Sequence, residues 1–202
     1  IDAVHHLKEE FADLELMIDA NGTFNPSVHA HLDLLREADD LGLIMIEEPV
    51  SRTGDIRGIE AVRKLRNIIQ FKTPICLDDC LTDLPTTQAA LSEGLADIVN
   101  IKPGRIGSII GAIQLAEKCK KLGKQIMVGG MLEATPGRCM TTILAALFHS
   151  MGFTIPGDLS LAQERLAEDL VSEEHQLQIG PQGGILLPKG IGWGFGDINL
   201  FS

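Results

Sequence analysis

The chain has 202 residues, 45% of them hydrophobic, and a formal net charge of −11. That charge repels phosphate backbones and no basic cluster offsets it, which argues against nucleic acid as a partner. No apolar run approaches the ~20 residues of a membrane span and no basic-then-apolar secretion signal opens the chain, so a cytoplasmic protein away from membranes is expected.

In chain order, "IDAVHHLKEEFADL" reads as a helix over 1–12 with no strand before it, so the chain is expected to start inside a strand–helix unit. "LELMIDAN" then gives a strand near 15–19 ending on Asp19. "NPSVHAHLDLLREADDLG" follows as a helix, with Pro26 at a first helical position and a stop at Gly42. "GLIMIEEP" is a strand near 43–47 that ends on Glu47 and Glu48. The helix in "DIRGIEAVRKLRNII" has a stripe of Ile56, Ile59, Val62, Leu65 and Ile69. "TPICLDDC" gives a strand near 75–78 ending on Asp78 and Asp79, and "ADIVNIKPGRIGS" one near 97–101 followed by Lys102. A helix in "GSIIGAIQLAEKCKKLG" places Ile109, Ile113, Ala116 and Leu122 near one face. Further strands are expected near 125–128 and 151–155, with a less regular tail from about 170.

The strands are short continuous apolar runs, as in parallel sheets covered on both faces, and no hairpin signal separates them. Positions 19, 47, 78, 102 and 129 lie 28, 31, 24 and 27 residues apart, each the length of one strand plus one helix. In an open doubly wound sheet such strand ends would lie along a line, whereas a (β/α) barrel gathers them at one mouth. The predicted fold is therefore an α/β, TIM-like barrel forming a single domain over 1–202. It is incomplete at its N-terminus, since a whole barrel takes roughly 250 residues.

Carboxylates at three consecutive strand ends repel one another unless a cation lies between them. A donor set of oxygens alone selects a hard ion, so Asp19, Glu47 and Asp78 point to Mg²⁺, with Mn²⁺ as a substitute. Adjacent strand residues face opposite ways, so Glu48 and Asp79 are expected to bond protein groups and not the ion. Lys102 is a candidate acid or base beside a metal-polarised substrate carboxylate, which is enolisation chemistry. The four cysteines, Cys76, Cys80, Cys119 and Cys139, form no C-x-x-C pair and are expected to be reduced packing residues. His29 and His31 are expected to be solvated surface imidazoles. "GIGWGFGD" lacks a following helix and is read as a turn packing Trp193 and Phe195, not as a phosphate loop.

The motifs "IDAN", "IEEP", "CLDD", "NIKPGRIG" and "GGMLE", in this order and spacing, resemble the enolase superfamily, within the branch holding o-succinylbenzoate synthases and N-acylamino acid racemases. The resemblance spans nearly the whole chain. It implies that Asp19, Glu47 and Asp78 bind Mg²⁺ and that Lys102 flanks a small carboxylate substrate as base, acid or cationic stabiliser. It also implies substrate contact at Gly129, Gly130 and Met131, supported from behind by Asn21, Asp79, Asn100 and Glu133. The chain departs from the family where L-D-E-S appears as Leu77, Asp78, Asp79, Cys80. It also lacks the capping domain and the first strand with its K-x-K motif. The reaction implied is a hydro-lyase step of menaquinone biosynthesis, dehydration of succinyl-hydroxycyclohexadiene carboxylate to o-succinylbenzoate. N-acylamino acid racemisation, or a related epimerisation, starts from the same enolate and stays open. So does a non-catalytic barrel fragment, and a homo-oligomer is compatible with each.

Overall fold

The computed structural model describes residues 1–50, 52, 54–190, 192 and 194. Trp193 and Phe195, expected to pack in a closing turn, lie outside the described residues.

The elements alternate as α1 (Asp2–Glu10), β1 (Ile18–Asp19), α2 (His29–Asp39), β2 (Ile46–Glu47), α3 (Gly58–Ile68), β3 (Ile75–Leu77), α4 (Leu84–Ser92) and β4 (Ile98–Ile101). They continue as α5 (Pro103–Ile106), α6 (Ile109–Lys121), β5 (Gln125–Val128) and α7 (Thr135–Ser150). The strands are parallel, in the sequential order β1-β2-β3-β4-β5. No reversal of order occurs among the described strands, which is barrel-like winding and not the doubly wound alternative. Two compact units divide the chain at β4, Ile1–Val99 and Asn100–Ser202.

In the first unit, register places Ile18 beside Ile46 and Asp19 beside Glu47, and then Ile46 beside Ile75 and Glu47 beside Cys76. Pairing runs back beyond the two-residue strands, since Ile44 N–H donates to Leu16 O at 2.9 Å. Leu35 and Ala38 of α2, and Ala61, Val62 and Leu65 of α3, are buried, as are Ile46, Ile75 and Leu77 of the strands. Asp97 joins helix to sheet. Its carboxylate takes Arg66 of α3 at 2.5 Å and the Ile75 N–H at 3.1 Å. Asp83 caps α4 by accepting from the Thr86 N–H at 2.8 Å. α1 buries no residue.

In the second unit, Gly107 takes φ 81°, a left-handed turn that separates the single-turn α5 from α6. Ser108 caps α6 through the Gly111 N–H at 2.8 Å. Beneath α6 and α7, Ile126, Val128, Leu144 and Phe148 form the buried interior.

Four expectations are corrected. α2 begins at His29, not at Pro26, because Asn25 forms a local turn: its side-chain carbonyl accepts from Ser27 N–H at 2.9 Å and its own N–H donates to His31 Nδ1 at 2.9 Å. His31 is consequently half-buried against the edge of Phe24, and not a free surface imidazole. The buried face of α6 is Ala112, Leu115, Ala116 and Cys119, an i, i+3, i+4, i+7 set whose small members allow close approach, while Leu122 is 47% exposed. No strand forms at 151–155. Met151 and Gly152 close α7, Gly152 at φ 97°, Pro156 lacks an N–H, Thr154 N–H meets only the Gln125 side chain at 3.2 Å, and Asp158 reaches the β5 backbone through Val128 O at 2.9 Å.

Candidate functional site

The first unit concentrates acid at successive strand ends. Asp19 closes β1, Glu47 closes β2, and Asp78 follows β3 directly. Glu47 is 3% exposed and Asp78 8%, whereas Asp19 is exposed. Burying carboxylates so close together costs heavily unless cations or donors compensate them. The Cys76 thiol registers the density of charge. Burial pushes its pKa well above the usual range, and the charges of Glu47, Asp78, Glu48 and Asp19 push it further.

The backbone beside two of these acids is left-handed without glycine, Asn21 at φ 48° and Glu48 at φ 37°. Such conformations concentrate where structure is held for function. Asn21 N–H and Nδ2 donate to the two carboxylate oxygens of Asp19 at 2.8 and 2.9 Å. Glu48 accepts from the N–H groups of Asp78 and Cys80 at 2.8 and 2.9 Å. Asp79 lies 3.6 Å from Arg52. Both acids that follow the proposed ligands therefore meet protein groups.

Among the described residues no three His, Cys, Asp or Glu side chains form a ready-made metal-holding group. The donor chemistry nevertheless fits Mg²⁺, because the acids clustered around Cys76 offer only oxygen at strand ends held in register.

The second unit holds the lysine. Asn100 is buried in β4, and Lys102, half-buried, stands at the N-terminal end of α5. A Cβ on Gly129 would fall 2.4 Å from Asn100 Oδ1 and 2.9 Å from Lys102 Cε, so only glycine lets those two side chains lie against the end of β5. Gly130 is constrained likewise, since a Cβ there would fall 2.1 Å from Arg138 Nη1. Beyond them Met131 is 45% and Leu132 74% exposed.

Arg138, in the first turns of α7, is a residue that motif reading missed. It is 3% exposed and donates to Met131 O at 2.6 Å, while its Nη1 lies 3.5 Å from Glu133 Oε2. The pair is incompletely bonded: Arg138 Nε and both Glu133 carboxylate oxygens are buried without a hydrogen bond. The available signal was a lone arginine in the otherwise small and apolar helical run "TPGRCMTTILAAL".

A family profile described as Enolase C-terminal domain-like matches residues 1–196. Curated relatives include an o-succinylbenzoate synthase of Bacillus subtilis, 32% identical over 180 residues, which cover 89% of this chain and 45% of that protein. An N-succinylamino acid racemase of an Amycolatopsis species is 32% identical over 199 residues, 98% of this chain and 50% of that protein. A crystal structure of an enolase-superfamily member from Listeria innocua superposes with a TM-score of 0.79 at 32% identity, covering 96% of this chain and 48% of that one. The chain spans about half the length of the curated relatives it matches. On the match over residues 1–196, and on a fold shared with that solved structure, the chain belongs to the Enolase C-terminal domain-like family of the enolase superfamily.

Proposed function

We propose that the protein of which this chain is the barrel portion is a Mg²⁺-dependent lyase of the o-succinylbenzoate synthase kind, acting through proton abstraction beside a substrate carboxylate. The observation that supports this most is the order of charges along the sheet: Asp19, Glu47 and Asp78 after three adjacent parallel strands, then Lys102 after the fourth. A relative named o-succinylbenzoate synthase, 32% identical, favours dehydration as the outcome.

Asp19, Glu47 and Asp78 would hold the ion. When bound, it polarises the substrate carboxylate and makes the neighbouring C–H acidic. Lys102 Nζ takes that proton or, as ammonium, stabilises the charge left on the substrate. Gly129 allows the Lys102 side chain its place, and the backbone of Gly130 and Met131 offers polar groups to the rest of the substrate. With Lys102 as the base, the proton it took goes to the departing β-hydroxyl, which leaves as water and completes dehydration.

A second reading has its own support, the N-succinylamino acid racemase relative at 32% identity. The two share their first half and differ in whether a leaving group departs or a proton returns on the opposite face.

The test is to supply Mg²⁺ and each substrate to the full-length protein, and to its Lys102→Met variant. Dehydration exceeding racemisation, with Lys102→Met losing racemisation completely, is the expected result. Racemisation alone would replace the first reading by the second, and neither activity under Mg²⁺ would remove both.

A further inference from the structure

The carboxylate of Glu48, a residue only 1% exposed, gathers three donors from one short stretch of the β3–α4 loop. Oε2 accepts from the Asp78 N–H at 2.8 Å, Oε1 from the Cys80 N–H at 2.9 Å, and the Cys80 thiol lies 3.4 Å from Oε2. The main chain of Glu48 is equally committed. Its N–H donates to Cys76 O at 2.9 Å, and its carbonyl accepts from the Gly22 N–H at 2.6 Å. One residue thus ties together the ends of β1, β2 and β3, the three strands whose terminal acids are Asp19, Glu47 and Asp78.

The backbone shows that this arrangement is over-determined. A non-glycine residue at φ 37° is strained, and such strain persists only where surrounding bonds insist on it. The left-handed turn at Glu48 separates the roles of two consecutive acids, leaving Glu47 in strand register beside Cys76 while Glu48 is bound into the next loop. Charge-assisted bonds to a buried carboxylate are also among the stronger ones available.

We propose that Glu48 is a positioning residue: it fixes the backbone from Asp78 to Cys80, and with it the direction in which the Asp78 carboxylate is offered to a divalent cation, the Cys80 thiol completing the bracket. This rests on the metal reading given above. It also gives the Cys80 position a task. Where the family motif has serine, a thiol here supplies the third donor, so a hydroxyl serves equally and a methyl group does not.

The experiment combines Mg²⁺ titration calorimetry with residue-resolved amide exchange on the 202-residue chain and three variants. Glu48→Gln preserves shape but replaces one acceptor oxygen with an amide donor. Its Mg²⁺ affinity should fall roughly 10- to 100-fold, the usual effect of removing a group that orients a metal ligand. Its Asp78 and Cys80 amides should exchange faster, while the amides of β3 stay protected. Cys80→Ser should match the wild type, and Cys80→Ala should show a smaller loss in the same direction as Glu48→Gln. Wild-type Mg²⁺ affinity in Glu48→Gln, or unchanged protection of its Asp78 and Cys80 amides, would overturn the proposal. If Glu48→Gln does not fold, the cysteine pair decides, and equal affinity and exchange in Cys80→Ser and Cys80→Ala would overturn it. If the wild type binds no Mg²⁺, the metal reading falls by itself, and unchanged exchange in Glu48→Gln would then overturn the bracket separately.

Discussion

The loop after β3 and the loop after β5 hold their polar groups in opposite ways. At 78–80, two backbone N–H groups and a thiol all end on the Glu48 carboxylate. At 129–133, the loop hangs on Arg138, whose Nε is buried without a partner, and on Glu133, whose buried oxygens accept no hydrogen bond. A fully satisfied network rigidifies; a partly satisfied one leaves a loop able to resettle. The difference suits the two tasks proposed, since a cation demands ligands in fixed directions, whereas a substrate loop with Met131 and Leu132 exposed gains from adjustment.

The largest effect that would break this contrast is expected at Arg138. Arg138→Met strands Glu133 as a buried charge, and breaking such a pair from one side costs about 3–5 kcal/mol. The double variant Glu133→Leu with Arg138→Met should regain much of that loss, because it leaves no charge behind. Urea unfolding of the two variants checks both outcomes. Matching stabilities would show that the pair is not coupled.

Next in size is Gly129→Ala. The added methyl would displace Asn100 and Lys102, and overpacking of this kind costs about 1–3 kcal/mol. Turnover should drop further than stability does, because Lys102 is one of the groups displaced. Comparing kcat with the melting temperature separates the two losses.

A smaller effect concerns pH. Burial pushes the Cys119 thiol from an ordinary 9.0 up to about 12, and that of Cys139 up to about 11. A folded value above the unfolded one favours the folded state below about pH 9, and this stability is lost as pH rises toward the folded values. Alkaline unfolding should therefore begin above about pH 9, and a disulfide reagent at pH 8 should find all four buried thiols unreactive until the chain unfolds.

The smallest effect is expected at Asp83, where the Thr86 N–H holds the carboxyl below its usual range. A depressed value contributes stability above the unfolded pKa that is lost as pH falls through the folded one. Asp83→Asn should lower the melting temperature slightly at pH 7 and hardly at all in strong acid, as a scan at both pH values would show.

Much of the fold was legible because its signals are local. Strand ends at Asp19, Glu47 and Lys102 follow from where apolar runs stop, and the parallel class follows from runs that do not alternate. What stayed hidden depends on distant partners. Nothing local distinguishes the Ile109 stripe of α6 from the Ala112 stripe that is buried, because both repeat at helical spacing. The 151–155 run is as apolar as a strand, yet it forms none once Gly152 closes α7 and Pro156 withholds an N–H. At the site, order and spacing isolated the acids and the lysine. Pairing Glu133 with Arg138 across a turn, or closing Cys80 onto Glu48, required the fold itself.

In the function proposed above, Asp19, Glu47 and Asp78, brought to adjacent strand ends, form one Mg²⁺ site. It is tested most directly by titrating Mg²⁺ into the wild-type chain and into Asp78→Asn, which removes charge at nearly constant shape. One wild-type site, with binding lost or weakened at least tenfold in the variant, is the predicted result. Equal Mg²⁺ affinity in the two proteins would contradict it.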